Sequence, residues 1–286
     1  MCNWCHLYGL EGTEWHLNPA NYARRLYKLK KPKPQPTADK KPKKEQATIP
    51  GEAGLMTFDE SRALAKAYTS GEMVTYRQIV KKIEERSWRV HAGQVVTLEE
   101  VYRAMEFMYP IAKITCACRR KSMALPDEEN MTCIGTGPGM YKWERWPDAY
   151  RGGVEFLHPD DAREFVTNLH DQGYVQSLWT FGTPFIGGIC NCNSPDCEGI
   201  RERMDYGIKC LWKGHYVAKI NLEECNGCGK CVSRCYFRAI RFNHNSNKAY
   251  IDPFQCFGCS QCEKVCKPEA ITMAERKSLP VLAEIW

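Results

Sequence analysis

The sequence lacks the long apolar runs that would place the chain in a membrane. Its longest weakly polar region, around Phe181 to Cys190, is interrupted by Pro184, whereas a membrane-spanning helix needs about 20 consecutive apolar residues. The chain begins MCNWCHLYGL, without an apolar signal segment. We therefore expect a cytoplasmic protein with no membrane span.

Motifs for substrate chemistry are also missing. The sequence contains no convincing Ser-His-Asp set, no glycine-rich dinucleotide fingerprint and no CxxxCxxC radical-enzyme motif. We therefore assign no catalytic residue from the sequence.

Cysteine, by contrast, is abundant, with 17 residues in a chain of 286. Disulfide scaffolds rich in cysteine are usually short secreted chains, and this chain is long and has no signal segment. Metal binding in a reducing compartment is the better interpretation.

Positive charge is concentrated in one segment. The formal net charge is +6, but Lys28 to Lys44 alone carries eight lysines and one aspartate, so the rest of the chain sums to −1. Spaced prolines and lysine repulsion in residues 31–44 favour an extended linker. Because the excess charge lies there, the sequence argues against nucleic-acid binding by the folded parts.

Local signals predict several helices before the main cysteine repeat. Thr57 with Glu60 and Thr97 with Glu100 form capping boxes, which mark helix starts. A further helix is expected to start at Pro159 and to end before Gly173. Residues 55–110 are expected to form a small helical bundle.

The C-terminal part contains a cysteine pattern that recurs after 31 residues, each copy reading C-x2-C-x2-C-x3-C. This spacing suits a cubane iron-sulfur cluster, because a tight loop directs three thiolates to three iron atoms and a distant cysteine takes the fourth. Zinc ribbons use pairs of C-x2-C instead. The two copies are Cys225, Cys228, Cys231, Cys235 and Cys256, Cys259, Cys262, Cys266.

These residues resemble the two-cluster bacterial-type ferredoxin family over about residues 219–275. The resemblance implies two 4Fe-4S clusters, with the fourth cysteine of each run ligating the other cluster. The family's proline after the fourth cysteine is replaced by Tyr236 and Lys267. Cluster one would then take Cys225, Cys228, Cys231 and Cys266, and cluster two Cys256, Cys259, Cys262 and Cys235.

Six further cysteines form a looser group before this repeat. Their arrangement resembles a family of multi-cysteine ferredoxin-like proteins of anaerobes, over about residues 111–275. Four of them would serve a third 4Fe-4S cluster or a zinc ion, and iron-sulfur is the interpretation we favour over zinc or metal-free thiols. The six are Cys116, Cys118, Cys133, Cys190, Cys192 and Cys197.

The N-terminal segment carries a C-x-x-C-H pattern, Cys2 to His6, which formally matches c-type haem attachment. The missing export signal argues against haem. A small metal site of Cys2, Cys5 and His6, completed by His16 or a partner chain, is the alternative that we prefer, and a metal-free tail is the simplest one.

These signals predict an α+β protein with a helical N-terminal and middle region and a C-terminal ferredoxin-like domain. Its function is predicted to be electron transfer, as the iron-sulfur subunit of a larger flavoprotein or metalloenzyme. A redox-sensing DNA-binding regulator and a reductase acting at the middle cysteines are the alternatives. The expected domains are 1–27, 28–50 (linker), 51–112, 113–218 and 219–286.

Overall fold

The computed structural model describes residues 14–18, 54–123, 130–137, 140–141, 153–181 and 185–285. The helices of these ranges are a 3-10 turn (Trp15–Leu17), α1 (Phe58–Thr69), α2 (Met73–Val90), α3 (Leu98–Met105), α4 (Ala117–Met123), α5 (Pro159–Gln172), α6 (Glu198–Met204), α7 (Lys230–Arg234), α8 (Gln261–Lys264) and a second 3-10 turn (Arg276–Ser278). The strands are β1 (Gln94–Val95), β2 (Ile111–Ile114), β3 (Cys133–Thr136), β4 (Val154–Leu157), β5 (Val175–Trp179), β6 (Gly188–Cys192), β7 (Tyr216–Ile220), β8 (Ile240–Asn243), β9 (Lys248–Ile251) and β10 (Ile271–Glu275).

The helix boundaries follow the local chemistry of the sequence. Both predicted capping boxes are present, at the starts of α1 and α3, with the threonine and glutamate of each bonding to the other's backbone N–H. Helix α5 begins at Pro159 and ends before Gly173, whose φ of 107° few residues other than glycine adopt. These three predictions are confirmed.

A six-stranded antiparallel sheet occupies the middle of the chain, in the order β1-β5-β6-β3-β2-β4. One face packs against α3 and α5. The paired residues Ile134, Leu178 and Ile189 point to this face and share a buried core with Val101 and Val166 of those helices. Because side chains alternate along a strand, the neighbours of these residues point to the opposite face.

The C-terminal part is built from two antiparallel strand pairs, β7 with β10 and β8 with β9. The short helices α7 and α8 follow the two cysteine loops at equivalent places of the repeat. The chain therefore has α+β architecture, with segregated helices and antiparallel strands, as the sequence predicts.

The proposed domain limits stay a prediction, although the limit between residues 112 and 113 falls inside β2. Helices α1 and α2 contribute Leu64 and Ile83 to a core that also contains Val175 and Ile200 of the later part. In the described ranges, the helices are either too short or too polar to cross a membrane.

Candidate metal centres

The two cysteine loops of the repeat share an unusual backbone pattern. Gly227 and Gly258 have φ values of 74° and 79°, and Gly229 and Ser260 have values of 70° and 57°. All four lie in the left-handed region, which glycine adopts at no steric cost. The equivalent positions therefore turn the chain in the same way, and each loop folds back on itself before its short helix.

The cysteines of the second run meet one cysteine of the first run. Cys235 lines the same pocket as Cys256, Cys259 and Cys262, with apolar walls that include Phe257. Burial, followed by the charges of Cys259, Cys256 and Cys235, raises the pKa of the Cys262 thiol. The four thiols assigned to cluster two are thus brought together in an apolar environment.

The cysteines of the first run likewise meet one cysteine of the second run. Burial raises the pKa of Cys231, and the charges of Cys228, Cys266 and Cys225 add to the shift. Cys266 comes from the second run, so this group has the crossed composition that the resemblance implies. Cys228 is the exposed member, whereas Cys225 and Cys231 are buried.

Strand alternation gathers the middle cysteines on one face of the sheet. Cys133 of β3 and Cys190 and Cys192 of β6 each lie next to a residue that points to the helix-covered face, so their thiols point to the other face. Cys116 and Cys118 lie at the start of α4, and Cys197 is the residue before α6.

The pKa shifts show which of the six thiols are neighbours. Cys118 and then Cys133 lower the pKa of Cys116 by hydrogen bonding to its thiolate. Cys116 and Cys197 raise the pKa of Cys118, while Cys116 raises that of Cys133. Cys133 and Cys192 raise the pKa of Cys190.

Two further contacts complete the group. Cys190 and then Cys197 lower the pKa of Cys192 to about 6. The pKa of Cys197 is raised despite hydrogen bonding from Cys118, because Cys192 and burial oppose its ionisation. Each of the six thiols therefore neighbours two others, and we call this closed arrangement the six-thiol ring. Going round it from neighbour to neighbour, the order is Cys116, Cys118, Cys197, Cys192, Cys190, Cys133 and back to Cys116.

A buried cation and a polar loop border the six-thiol ring. Arg119 is 4% exposed, donates to Oδ1 of Asn193 at 2.6 Å and lies 5.0 Å over the ring of Tyr174. Its backbone N–H points to Sγ of Cys116 at 3.5 Å. Positive charge and N–H donors stabilise thiolates, so the site suits a negatively charged metal-thiolate group.

Sequence reasoning missed one cysteine near this site. Cys210 is fully buried; burial and the charge and hydrogen bonding of Glu202 raise the pKa of its thiol, and Cys197 adds a smaller effect. Its Sγ donates to the carbonyl oxygen of Gly199 at 3.8 Å. No second cysteine lies close to it in the sequence, so spacing carried no signal.

The predicted N-terminal site is only partly visible. Cys2, Cys5 and His6 lie outside the described residues, so the proposed grouping stays a prediction. His16 is described and buried, and its imidazole lies beside Glu100 and His215. Neither of these two partners was predicted from the sequence.

The six-thiol ring and the cluster-two cysteines border one apolar core. Cys192 and Cys197 share this core with Phe237 and Phe257, and Cys235 and Cys259 pack against it. The two phenylalanine rings stack with centroids 4.1 Å apart.

A comparison with known proteins finds a family match in the C-terminal part. Residues 224–270 match the family described as the 4Fe-4S dicluster domain. A segment of 50 residues, 18% of this chain, is 36% identical to Indolepyruvate oxidoreductase subunit IorA of Pyrococcus horikoshii, of which it covers 8%. A segment of 58 residues, 20% of this chain, is 38% identical to the Archaeal-type glutamate synthase (NADPH) of Thermotoga maritima, of which it covers 11%.

The chain thus matches only a small part of these relatives' length. The match coincides with the repeated loops and with the two crossed groups of thiols described above. Residues 224–270 are therefore a 4Fe-4S dicluster domain of the ferredoxin type, similar in sequence to segments of known oxidoreductase proteins.

Proposed function

We propose that this protein is an iron-sulfur electron-transfer subunit that passes single low-potential electrons to or from a larger cytoplasmic oxidoreductase. The observation that carries the proposal is the apolar core shared by the six-thiol ring and the cluster-two cysteines. A second redox centre in the six-thiol ring would then border the same buried apolar core as cluster two.

The proposed path has an outer and an inner end. Cluster one would lie at the outer end, because its ligand Cys228 is exposed. Cluster two would lie between cluster one and the six-thiol ring, because Cys235 and Cys259 border the shared core. Electrons would therefore pass between a surface site and a site enclosed by the middle of the chain.

We assign a third 4Fe-4S cluster to four thiols of the six-thiol ring. Zinc bound by four thiolates at about 2.3 Å would place the sulfur atoms about 3.8 Å from one another. Among the described residues, the set of three ligand atoms within 4.8 Å of one another is His16, Glu100 and His215, not a set of these cysteines. Among the described residues, no three thiols of the ring lie mutually within that distance, which supports a cluster over one zinc ion.

The size of the chain supports a dedicated partner. The dicluster domain occupies residues 224–270, and a small freely diffusing carrier would need little more. One similar protein is named as a subunit of indolepyruvate oxidoreductase. We therefore propose a flavoprotein or metalloenzyme as the partner of this chain, docked near the exposed Cys228.

Anaerobic purification from the native host, with iron, sulfide and zinc counts, tests the cofactor content. We expect about twelve irons per chain, and about eight when Cys116 and Cys190 are both changed to serine. Cys210→Ser is the matched control, since this buried cysteine lies outside the ring, and it should keep about twelve. About eight irons in the wild-type protein would overturn the third cluster.

Identification of co-purifying chains tests the subunit role separately. An oxidoreductase that elutes with the protein, and whose reduction bleaches the cluster absorbance, is the expected result. A stable monomer with fully loaded clusters and no bound enzyme would contradict the subunit role, whatever the iron count.

A further inference from the structure

A group of chemically reactive side chains contains none of the cysteines described above. His16, Glu100 and His215 are 0%, 2% and 8% exposed. They come from three separate parts of the chain: the first 3-10 turn, the first turn of α3, and the residue before β7. The fifteen described cysteines take no part in this group.

The distances within the group match those of a metal site. Oε1 of Glu100 lies 3.1 Å from Nδ1 of His215 and 3.7 Å from Nε2 of His16. All three ligand atoms lie within 4.8 Å of one another. Nitrogen and oxygen ligands about 2.0–2.1 Å from a tetrahedral zinc ion are separated by about 3.3 Å. One zinc ion would therefore reach all three atoms after small movements of the side chains.

The capping box of α3 fixes the orientation of the Glu100 carboxylate. Oε2 of Glu100 accepts hydrogen bonds from the backbone N–H of Thr97 at 2.9 Å and from its hydroxyl at 3.1 Å. The other oxygen, Oε1, is thereby directed at the two imidazoles. Metal ligands are typically held in place by such outer hydrogen bonds.

The imidazole of His16 is fully buried beside two other histidines. Burial, followed by the charges of His215 and His91, keeps the pKa of His16 well below its usual value. A neutral imidazole is the form that binds metal. Arg103 lies near His16 but is exposed, and a divalent cation would balance the buried carboxylate of Glu100.

A second layer of contacts surrounds His215. Its Nε2 lies 3.5 Å from the side-chain amide of Gln94, whose Oε1 accepts from the indole N–H of Trp15 at 3.1 Å. The carbonyl oxygen of His215 accepts from the backbone N–H of Arg276 at 2.6 Å. The Arg276 side chain in turn donates to the carbonyl oxygen of Cys256 at 2.8 Å.

We propose that His16, Glu100 and His215 bind a divalent transition-metal ion of the zinc class. Two imidazoles and one carboxylate are a ligand set that zinc accepts, with a fourth position left for water or a small ligand. The ion fastens the segment around His16 to α3 and to the residue before β7. Neither the iron-sulfur centres nor an electron-transfer partner is needed for this binding.

Zinc titration of the full chain, purified anaerobically with its clusters loaded, tests the site. We expect one additional zinc per chain, and zinc-edge X-ray absorption should show nitrogen and oxygen ligands at about 2.0–2.1 Å and not sulfur at about 2.3 Å. Sulfur ligation would indicate zinc in a cysteine site and would overturn the assignment. Absence of the additional zinc would show a hydrogen-bonded His-Glu-His group only.

Matched variants locate the ion. Glu100→Gln and His215→Ala should each weaken zinc binding at least tenfold, whereas Glu99→Gln, an exposed neighbour on α3, and His170→Ala, a buried histidine bonded to Gln176, should not. Unchanged zinc binding in both site variants would overturn the proposal. If a variant loses its fold, as judged by circular dichroism, the absorption spectrum of the wild-type protein still decides the ligand type.

Discussion

The side-chain amide of Gln261 donates a hydrogen bond to the carbonyl oxygen of Tyr174 at 2.7 Å. Gln261 precedes Cys262 in α8, whereas Tyr174 follows helix α5 of the six-stranded unit. The same amide also donates to the carbonyl oxygen of His170 at 3.0 Å. One buried side chain thus connects the cluster-two loop to the end of α5.

Truncation of this side chain is expected to weaken the connection. Gln261→Ala removes two hydrogen bonds, each worth about 1 kcal/mol, although both carbonyl groups keep a second donor, Gln176 for Tyr174 and Gly173 for His170. The melting temperature should fall by about 4 °C, as measured by circular dichroism under anaerobic conditions. Gln255→Ala is the control, because Gln255 is exposed on the same domain; an equal loss in both variants would contradict the prediction.

Arg119 is expected to stabilise the metal group of the six-thiol ring. Arg119→Ala removes a buried cation and its bond to Asn193, so the iron content should fall by up to about four per chain. Arg119→Lys keeps the charge but loses the planar contact with Tyr174 and should retain more iron. Full iron content in Arg119→Ala would show that thiolate charge needs no compensation there.

Paired cysteine variants test the crossed ligand assignment. Cys235 and Cys256 are assigned to one cluster, so changing both to alanine should remove the same four irons that either change removes. Changing Cys235 and Cys225 together should remove both clusters of the dicluster domain. Iron counts and electron paramagnetic resonance of the two double variants measure the difference, and the reversed pattern, with the larger loss in the Cys235 and Cys256 variant, would exclude the crossing.

Two glycines of the repeat should respond differently to the same substitution. A Cβ at Gly258 would lie 2.2 Å from the carbonyl oxygen of Tyr216, whereas a Cβ at Gly229 would meet nothing within 4 Å. Gly229→Ala should therefore cost about 1–2 kcal/mol from its left-handed backbone alone. Gly258→Ala should in addition displace β7 or the loop and lower cluster-two iron, which an iron count of both variants checks.

Glu202 is expected to make stability depend on pH. Burial raises its pKa from 4.5 to about 7, although both carboxylate oxygens accept from the backbone N–H of Met56 and the Cys210 thiol also bonds to it. Since the folded pKa is the higher one, the contribution of Glu202 is fully present below pH 4.5 and is lost as the pH rises through about 7.

The pH effect can be isolated with one isosteric variant. Glu202→Gln cannot ionise, so it should lose less stability than the wild-type protein between pH 5 and pH 8, by up to about 3 kcal/mol. Thermal unfolding of both proteins at the two pH values measures this. Glu85→Gln is the control, at a position 67% exposed on α2, and it should lose as much stability as the wild-type protein. The raised pKa of Glu202 would be contradicted if Glu202→Gln also lost as much stability as the wild-type protein between the two pH values.

Local signals in the sequence predicted the features that depend on neighbouring residues. Capping boxes such as Thr97 with Glu100 and the glycine after α5 mark helix ends because their hydrogen bonds and backbone angles are local. The cysteine repeat predicted the two loops for the same reason. The crossed grouping of Cys231 with Cys266 came from the family resemblance and not from spacing.

Features that depend on distant residues were not predictable in this way. The strands of the sheet are two to five residues long, and β1 pairs with β5 across some 80 residues. The sequence therefore contains no long alternation of apolar and polar residues that would predict these strands. The six cysteines of the ring were recognised by residue type, but their closed order follows from the sheet. Glu100 and His215 share no spacing motif, and only the fold brings them together.

The crossed arrangement of Cys231 with Cys266 and of Cys262 with Cys235 also constrains biosynthesis. On the proposed assignment, neither cluster has its full ligand set until the second run has been translated, because cluster one needs Cys266 and cluster two needs Cys256. Iron and sulfide inserted earlier, on the nascent chain, would find only an incomplete set of thiolates. Cluster insertion is therefore expected to follow release of the second cysteine run from the ribosome.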